Sequence, residues 1–202
     1  MIKAAIFDVD GTVLDSLWVW RKADEDYLKK LGMEFDEAVY NKMHTMTFET
    51  SVVYFCRTFH LDVEPERLRA EITEDVSKYY KNVIEPVKGV PELIKELYDR
   101  GVKLAVATSN RRDFVNAAFK RLDIEKYFSH ILICDELGTG KNEPLIFKLA
   151  ANLLGAEPEQ TVVFEDSPHA IKTAKKAGFK TVHITEYDVS DEAVRGEIIN
   201  GL

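Results

Sequence analysis

Five short, largely apolar runs punctuate the chain, and each ends abruptly in polar residues: AAIF before Asp8, KLAVA before Thr108, HILIC before Asp135, TVVF before Glu165 and TVHI before Thr185. Runs of this length without apolar/polar alternation predict strands buried on both faces, as in a parallel sheet. Segments with helical spacing and readable ends lie between most of them. VPELIKELYDRG sets Pro91 in a first turn and Gly101 at a stop, and EPLIFKLAANLLG repeats the device with Pro144 and Gly155. SPHAIKTAKKAG offers Ser167 as an N-cap, Pro168 after it and Gly178 at the end. Alternating strands and helices predict an α/β fold with a mostly parallel sheet and helices on both faces.

Residues 16–82 interrupt this alternation, because they hold helical patterns and no comparable strand run. SLWVWRKADEDYLKKLG can start at Asp15 or Ser16 and stop at Gly32, TFETSVVYFCRTFHL can be capped by Thr47, and EPERLRAEITEDVSKYYKNVI carries Pro65 near its start. The expectation is an all-helical insert over 16–82, with a core made of 1–15 and 83–202. The aromatic stretch VVYFCRTF is read as the insert's own core. EYDVSDEAVRGE is read as a solvated final helix.

Composition narrows the function classes. The 202 residues are 46% hydrophobic and 31% charged, which suits a chain that buries a real core. A formal charge of −8 argues against nucleic acid or an anionic membrane as the main partner, since both demand a net basic face. Cys56 and Cys134 are the only cysteines and form no CxxC spacing, so reduced thiols are expected. The opening residues contain an apolar run of four, and no run approaches the ~18 needed to span a bilayer. A cytoplasmic protein, monomeric by default, is expected.

The polar clusters share an address. Asp8-Val9-Asp10, Thr108-Ser109-Asn110, the loop reaching Lys141, and Glu165-Asp166-Ser167 each follow a strand run on its carboxyl side, the edge where open α/β sheets bind ligands. Asp8 and Asp10 project to one side of an extended chain, and Glu165 and Asp166 bring further oxygens. Crowded carboxylates repel unless a cation lies among them, and hard oxygen donors suit Mg²⁺, which often completes its shell with a substrate phosphate. Lys141 adds a positive charge, while Thr108, Ser109, Asn110 and the backbone N–H groups near Gly11 and Asn110 are candidates for holding phosphate oxygens. A carboxylate is also a competent nucleophile toward phosphorus. Asp8 is therefore the expected attacking group, with Asp10 protonating the leaving alcohol and then activating water.

Together DVDGTVLDS, VATSN, Lys141 and FEDSPHAIKTAKKAG resemble the four ordered motifs of the haloacid dehalogenase-like superfamily. The resemblance implies a Rossmann-like three-layer core, a helical cap inserted after the first motif, and Mg²⁺-dependent phosphoryl transfer through Asp8. It implies a metal set of Asp8, Asp10 through its backbone carbonyl, Glu165 and Asp166. Asp10 separates branches of that family: those resembling dehalogenases lack the second aspartate, whereas phosphatases and phosphomutases have it. Mutases resembling β-phosphoglucomutase use a cap arginine that KMHTMTFET lacks, which favours simple hydrolysis of a small phosphorylated metabolite. A phosphomutase and a catalytically silent phosphometabolite-binding protein are the alternatives. His44 and Thr45 are the candidate substrate-selecting residues. The chain departs from the family pattern at Asn142, where a proline is usual, and at Leu145, where an acid is usual. Asp15 and Ser16 are read as caps of the first insert helix, and His169 as a first-turn surface residue.

Overall fold

In a computed structural model of the protein, residues 2–43 and 48–202 are described. Five parallel strands form one sheet: β1 (Ala4–Phe7), β2 (Lys103–Thr108), β3 (Phe128–Ile133), β4 (Thr161–Glu165) and β5 (Lys180–His183), in the order β3-β2-β1-β4-β5. All five expected strands are present, with ends displaced by up to two residues. Cys134 and Ile184, expected in strands, instead lead into one-turn helices. Every residue of β1 is fully buried, as a central strand covered on both faces requires.

The chain divides into two compact units, 1–16 with 84–202, and 17–83. In the first, α5 (Val90–Asp99), α6 (Arg112–Arg121), α7 (Leu145–Leu154), α8 (Pro168–Lys176) and α9 (Glu192–Gly201) follow the strands. Alternate strand residues face opposite layers. Ala4, Ile6, Ala105, Ala107 and Val163 join Ile146, Phe147, Ala150 and Leu154 of α7 and Ala170 and Ala174 of α8 in one buried cluster. Phe7, of the opposite parity, stacks on Phe164 at 4.4 Å between centroids and meets Phe128 edge-on at 5.9 Å, while Phe119 of α6 reaches Phe128 at 5.3 Å. Helix α6 was not expected from its sequence; its buried face, Phe114, Val115, Ala118 and Phe119, is short and flanked by charge.

Helix α9 is the expected final helix, but it is not solvated all round, since Arg195, Ile198 and Ile199 are buried. Asp191 caps it by accepting from the Ala193 N–H at 2.8 Å. Arg195, only 8% exposed, ion-pairs with Glu96 of α5 at 2.9 Å and donates to the Val189 carbonyl at 2.9 Å. Gly89, with φ 84°, lies so close beneath this segment that a Cβ would come within 2.0 Å of the Val189 oxygen; only glycine fits there.

The second unit holds α1 (Trp18–Lys30), α2 (Glu37–Met43), α3 (Phe48–Thr58) and α4 (Pro65–Asn82), and no strand among the described residues. Helices α1 and α3 both pack on α4. Val52, Phe55, Cys56, Leu68, Ile72, Val76 and Tyr80 are buried, and Trp18 meets Tyr79 edge-on at 5.4 Å. Thr47, the expected cap of α3, lies outside the described residues.

Candidate active site

The order β3-β2-β1-β4-β5 contains one switch point: successive strands move outward from β1 on one side, and the chain then crosses to start β4 on the other. Ligands bind at the carboxyl edge where such a crossing opens a crevice. Asp8 follows β1 there, and Glu165 and Asp166 lie at the end of β4, whose Phe164 carbonyl accepts from the Asp8 N–H at 3.0 Å. Oxygens of Asp8, Glu165 and Asp166 lie within 4.8 Å of one another. Lys141, on the loop before α7, places Nζ between Asp8 Oδ1 and Glu165 Oε1, the latter at 3.0 Å. These side chains are well covered: Lys141 is 11% exposed, Asp8 9% and Glu165 1%.

Burial and the neighbouring Asp8 carboxylate push the Glu165 carboxyl up to about 8, against the pull of Lys141. Asp166 is raised for the same two reasons. Burial opposes the charge on Lys141, but Asp8 and Glu165 outweigh it and keep the ammonium protonated well above its ordinary value. Three carboxylates facing one ammonium leave the pocket short of positive charge. The donor set, all hard oxygen, fits a divalent cation of the Mg²⁺ type.

Asp10 does not bring its carboxylate into this cluster. The chain turns back at Gly11 (φ 77°), and Leu14 bridges to Asp10. Asp10 Oδ1 accepts from Ser16 Oγ at 2.6 Å, and Oδ2 accepts from Asn110 Nδ2 at 2.8 Å. The capping role expected for Ser16 is therefore corrected: α1 begins at Trp18, its N-cap is Leu17 without a side-chain cap bond, and the Ser16 hydroxyl serves Asp10. The fold-back explains the change, because it brings residue 16 over residue 10 before the helix starts.

The candidate phosphate-holding groups gather on the same rim, after β1, β2 and before α7. Thr108 is buried, and its Oγ1 accepts from the Asn110 N–H at 3.0 Å, which leaves the hydroxyl proton available to a ligand. Ser109 Oγ donates to Cys134 Sγ at 3.5 Å, and the Gly11 N–H donates to the Leu14 carbonyl at 2.8 Å, so both are engaged within the protein. His169 is exposed in the first turn of α8. His44 and Thr45 lie outside the described residues. The sequence reading missed the Ser16 and Asn110 side chains as partners of Asp10, and it missed His183, whose imidazole Nε2 reaches the Asp166 carbonyl at 2.8 Å. Nothing local marks these pairings; they depend on the turn at Gly11 and on which strands are neighbours.

Comparison with known proteins gives a consistent result. The family model described as haloacid dehalogenase-like hydrolase matches residues 5–184. The phosphorylated carbohydrates phosphatase of Thermotoga maritima is 25% identical, over 94% of this chain and 88% of the relative. Fructose-1-phosphate phosphatase YqaB of Escherichia coli is 30% identical, over 89% of this chain and 94% of the relative. A solved structure from Thermotoga maritima, provisionally named as a β-phosphoglucomutase, superposes with a TM-score of 0.83 at 26% identity, covering 99% of this chain and 98% of the other. No described helix is long and apolar enough to cross a membrane.

Proposed function

Because the chain belongs to the haloacid dehalogenase-like hydrolases, we propose that it hydrolyses a small phosphomonoester, of the phosphorylated-carbohydrate class its named relatives act on, with Asp8 as nucleophile. What supports this reading above all is one observation: Asp8 stands at the carboxyl end of the central strand, ion-paired to Lys141 and within 4.8 Å of two further carboxylates. Asp8, Glu165 and Asp166, with the Asp10 backbone carbonyl, would hold Mg²⁺. When bound, the cation supplies charge that offsets the phosphoryl oxygens.

In the first step an Asp8 carboxylate oxygen forms a bond to phosphorus as the ester P–O bond breaks. The leaving alkoxide takes its proton from the Asp10 carboxyl. In the second step Asp10 accepts a proton from water, the water oxygen bonds phosphorus, and the bond from Asp8 to phosphorus breaks to release inorganic phosphate. Lys141 and the Thr108 hydroxyl hold phosphoryl oxygens throughout. Glu165 acts largely through Lys141, whose ammonium it shares with Asp8. The 17–83 unit is assigned the role of a substrate-selecting cap.

A β-phosphoglucomutase-type phosphomutase is the second reading, favoured by the likeness to the Thermotoga maritima structure. Purified protein with an aryl phosphate and a panel of sugar phosphates, with and without Mg²⁺, separates the readings. Hydrolysis that Asp8→Asn lowers by several orders of magnitude supports the phosphatase. Isomerised sugar phosphate without release of inorganic phosphate supports the mutase. Binding of one panel member with no turnover of any would replace both with a silent phosphometabolite-binding protein.

A further inference from the structure

Strands β4 and β5 run in parallel, and their last register pair is Glu165 with His183. Beyond it β5 gives way to a single turn of helix over Ile184–Glu186, so the ladder ends one residue short of Asp166. The Asp166 carbonyl is met instead by a side chain, the imidazole Nε2 of His183 at 2.8 Å. That ring is itself oriented: Nδ1 lies 2.8 Å from Glu186 Oε1, and Thr185 Oγ1 lies 3.1 Å from Nε2. On its other side, the Asp166 N–H donates to Glu165 Oε2 at 3.1 Å. Residue 166 is gripped at both peptide groups by side chains, where a strand would be gripped by backbone.

Ser167, the N-cap of α8, makes no side-chain cap bond. The Asp166 carbonyl and the Glu186 carboxylate both only accept, so both ring nitrogens donate, Nε2–H to residue 166 and Nδ1–H to residue 186, and the second bond sets the ring for the first.

We propose that His183 is a positioning residue: by extending the β4–β5 ladder one rung with its imidazole, it fixes the peptide of Asp166 and so aims that carboxylate into the cluster with Asp8 and Glu165. The proposal rests on the reading of this cluster as a divalent-cation site. Groups that orient metal ligands through hydrogen bonds contribute to affinity, and their loss costs about 10–100-fold. Since the rung needs a donor at the reach of Nε2, a glutamine can replace it and the shorter asparagine cannot.

The test is calorimetric titration of metal-stripped protein with Mg²⁺ alone, with thermal melting of each variant in EDTA to record folding. His183→Ala and His183→Asn are expected to bind Mg²⁺ about tenfold more weakly than wild type, and His183→Gln to recover most of the loss. In turnover, the Mg²⁺ concentration for half-maximal rate should rise by the same factor while kcat at saturating Mg²⁺ is largely kept. If wild type takes up no Mg²⁺, the cation-site reading itself falls and this proposal with it. If wild type binds and His183→Asn binds equally well, the positioning role alone is refuted. If alanine does not fold, the glutamine and asparagine variants still decide, and equal affinity in those two overturns the proposal.

Discussion

Replacing Lys141 by methionine keeps the length of the side chain and deletes an ammonium placed among three carboxylates. In the native protein Nζ bonds Asp8 Oδ1 and, at 3.0 Å, Glu165 Oε1, in surroundings where Glu165 is 1% exposed. Carboxylate oxygens of the cluster approach within 4.8 Å, and at an effective dielectric of ~20 two unit charges that far apart repel by about 3.5 kcal/mol. Protonation of Glu165, already pushed up to about 8, relieves part of this. The net loss then falls in the range for removing one partner of a buried pair, about 3–5 kcal/mol. For a chain of 202 residues that is a fall in Tm of about 10 °C. Melting followed by circular dichroism in EDTA measures it. Mg²⁺ returns positive charge to the same carboxylates, so the gap between variant and wild type should narrow as Mg²⁺ is added. A variant that melts with wild type in EDTA, or a gap indifferent to saturating Mg²⁺, would refute the charge-balance reasoning.

Asp24, on α1, is buried with no salt bridge or hydrogen bond to another described residue, and burial, with a smaller push from Glu25, raises its carboxyl to about 7. Between about pH 4 and 7 the folded chain therefore holds a proton that the unfolded chain has lost, so stability falls as pH rises through that window. Asp24→Asn should flatten this slope and be more stable above pH 7 by about 4 kcal/mol in urea unfolding; parallel pH profiles would count against it. Arg195→Met, which strips the part-exposed Glu96 and the Val189 carbonyl of their partner, should lower stability by about 1–3 kcal/mol. Its effect should combine with Glu96→Gln less than additively, and strict additivity in that double-mutant cycle would show the pair uncoupled.

Particular residues show where reading the chain succeeded and where it stopped. AAIF, KLAVA and TVVF are strands because buried parallel strands leave a local signature of uninterrupted apolar residues. Asp8, Glu165 and Asp166 could be named in advance because each follows or ends such a run, and Lys141 because it lies on a loop after another and matches one of the family's ordered motifs. Helix α6, with a four-residue apolar face, leaves too weak a periodicity. Ser16 was taken for a cap because Ser before a helical pattern usually is one; here a turn upstream gives its hydroxyl a stronger acceptor in Asp10. Arg195 looked solvated because its neighbours in sequence are charged, while its partners Glu96 and Val189 come from elsewhere in the fold.

Local chemistry alone determined the strands, most of the core helices, the insert and the identity of the acids, since apolar runs, prolines, glycines and carboxylates act within a few residues of where they stand. Strand order was decided only by packing, and with it three consequences: β4 beside β1, which draws Glu165 and Asp166 to Asp8; Asn110 turned onto Asp10; and His183 set at the last rung of the β4–β5 ladder, where its imidazole reaches Asp166 one residue beyond. Each joins residues far apart in the chain, and such contacts carry no local periodicity that could announce them.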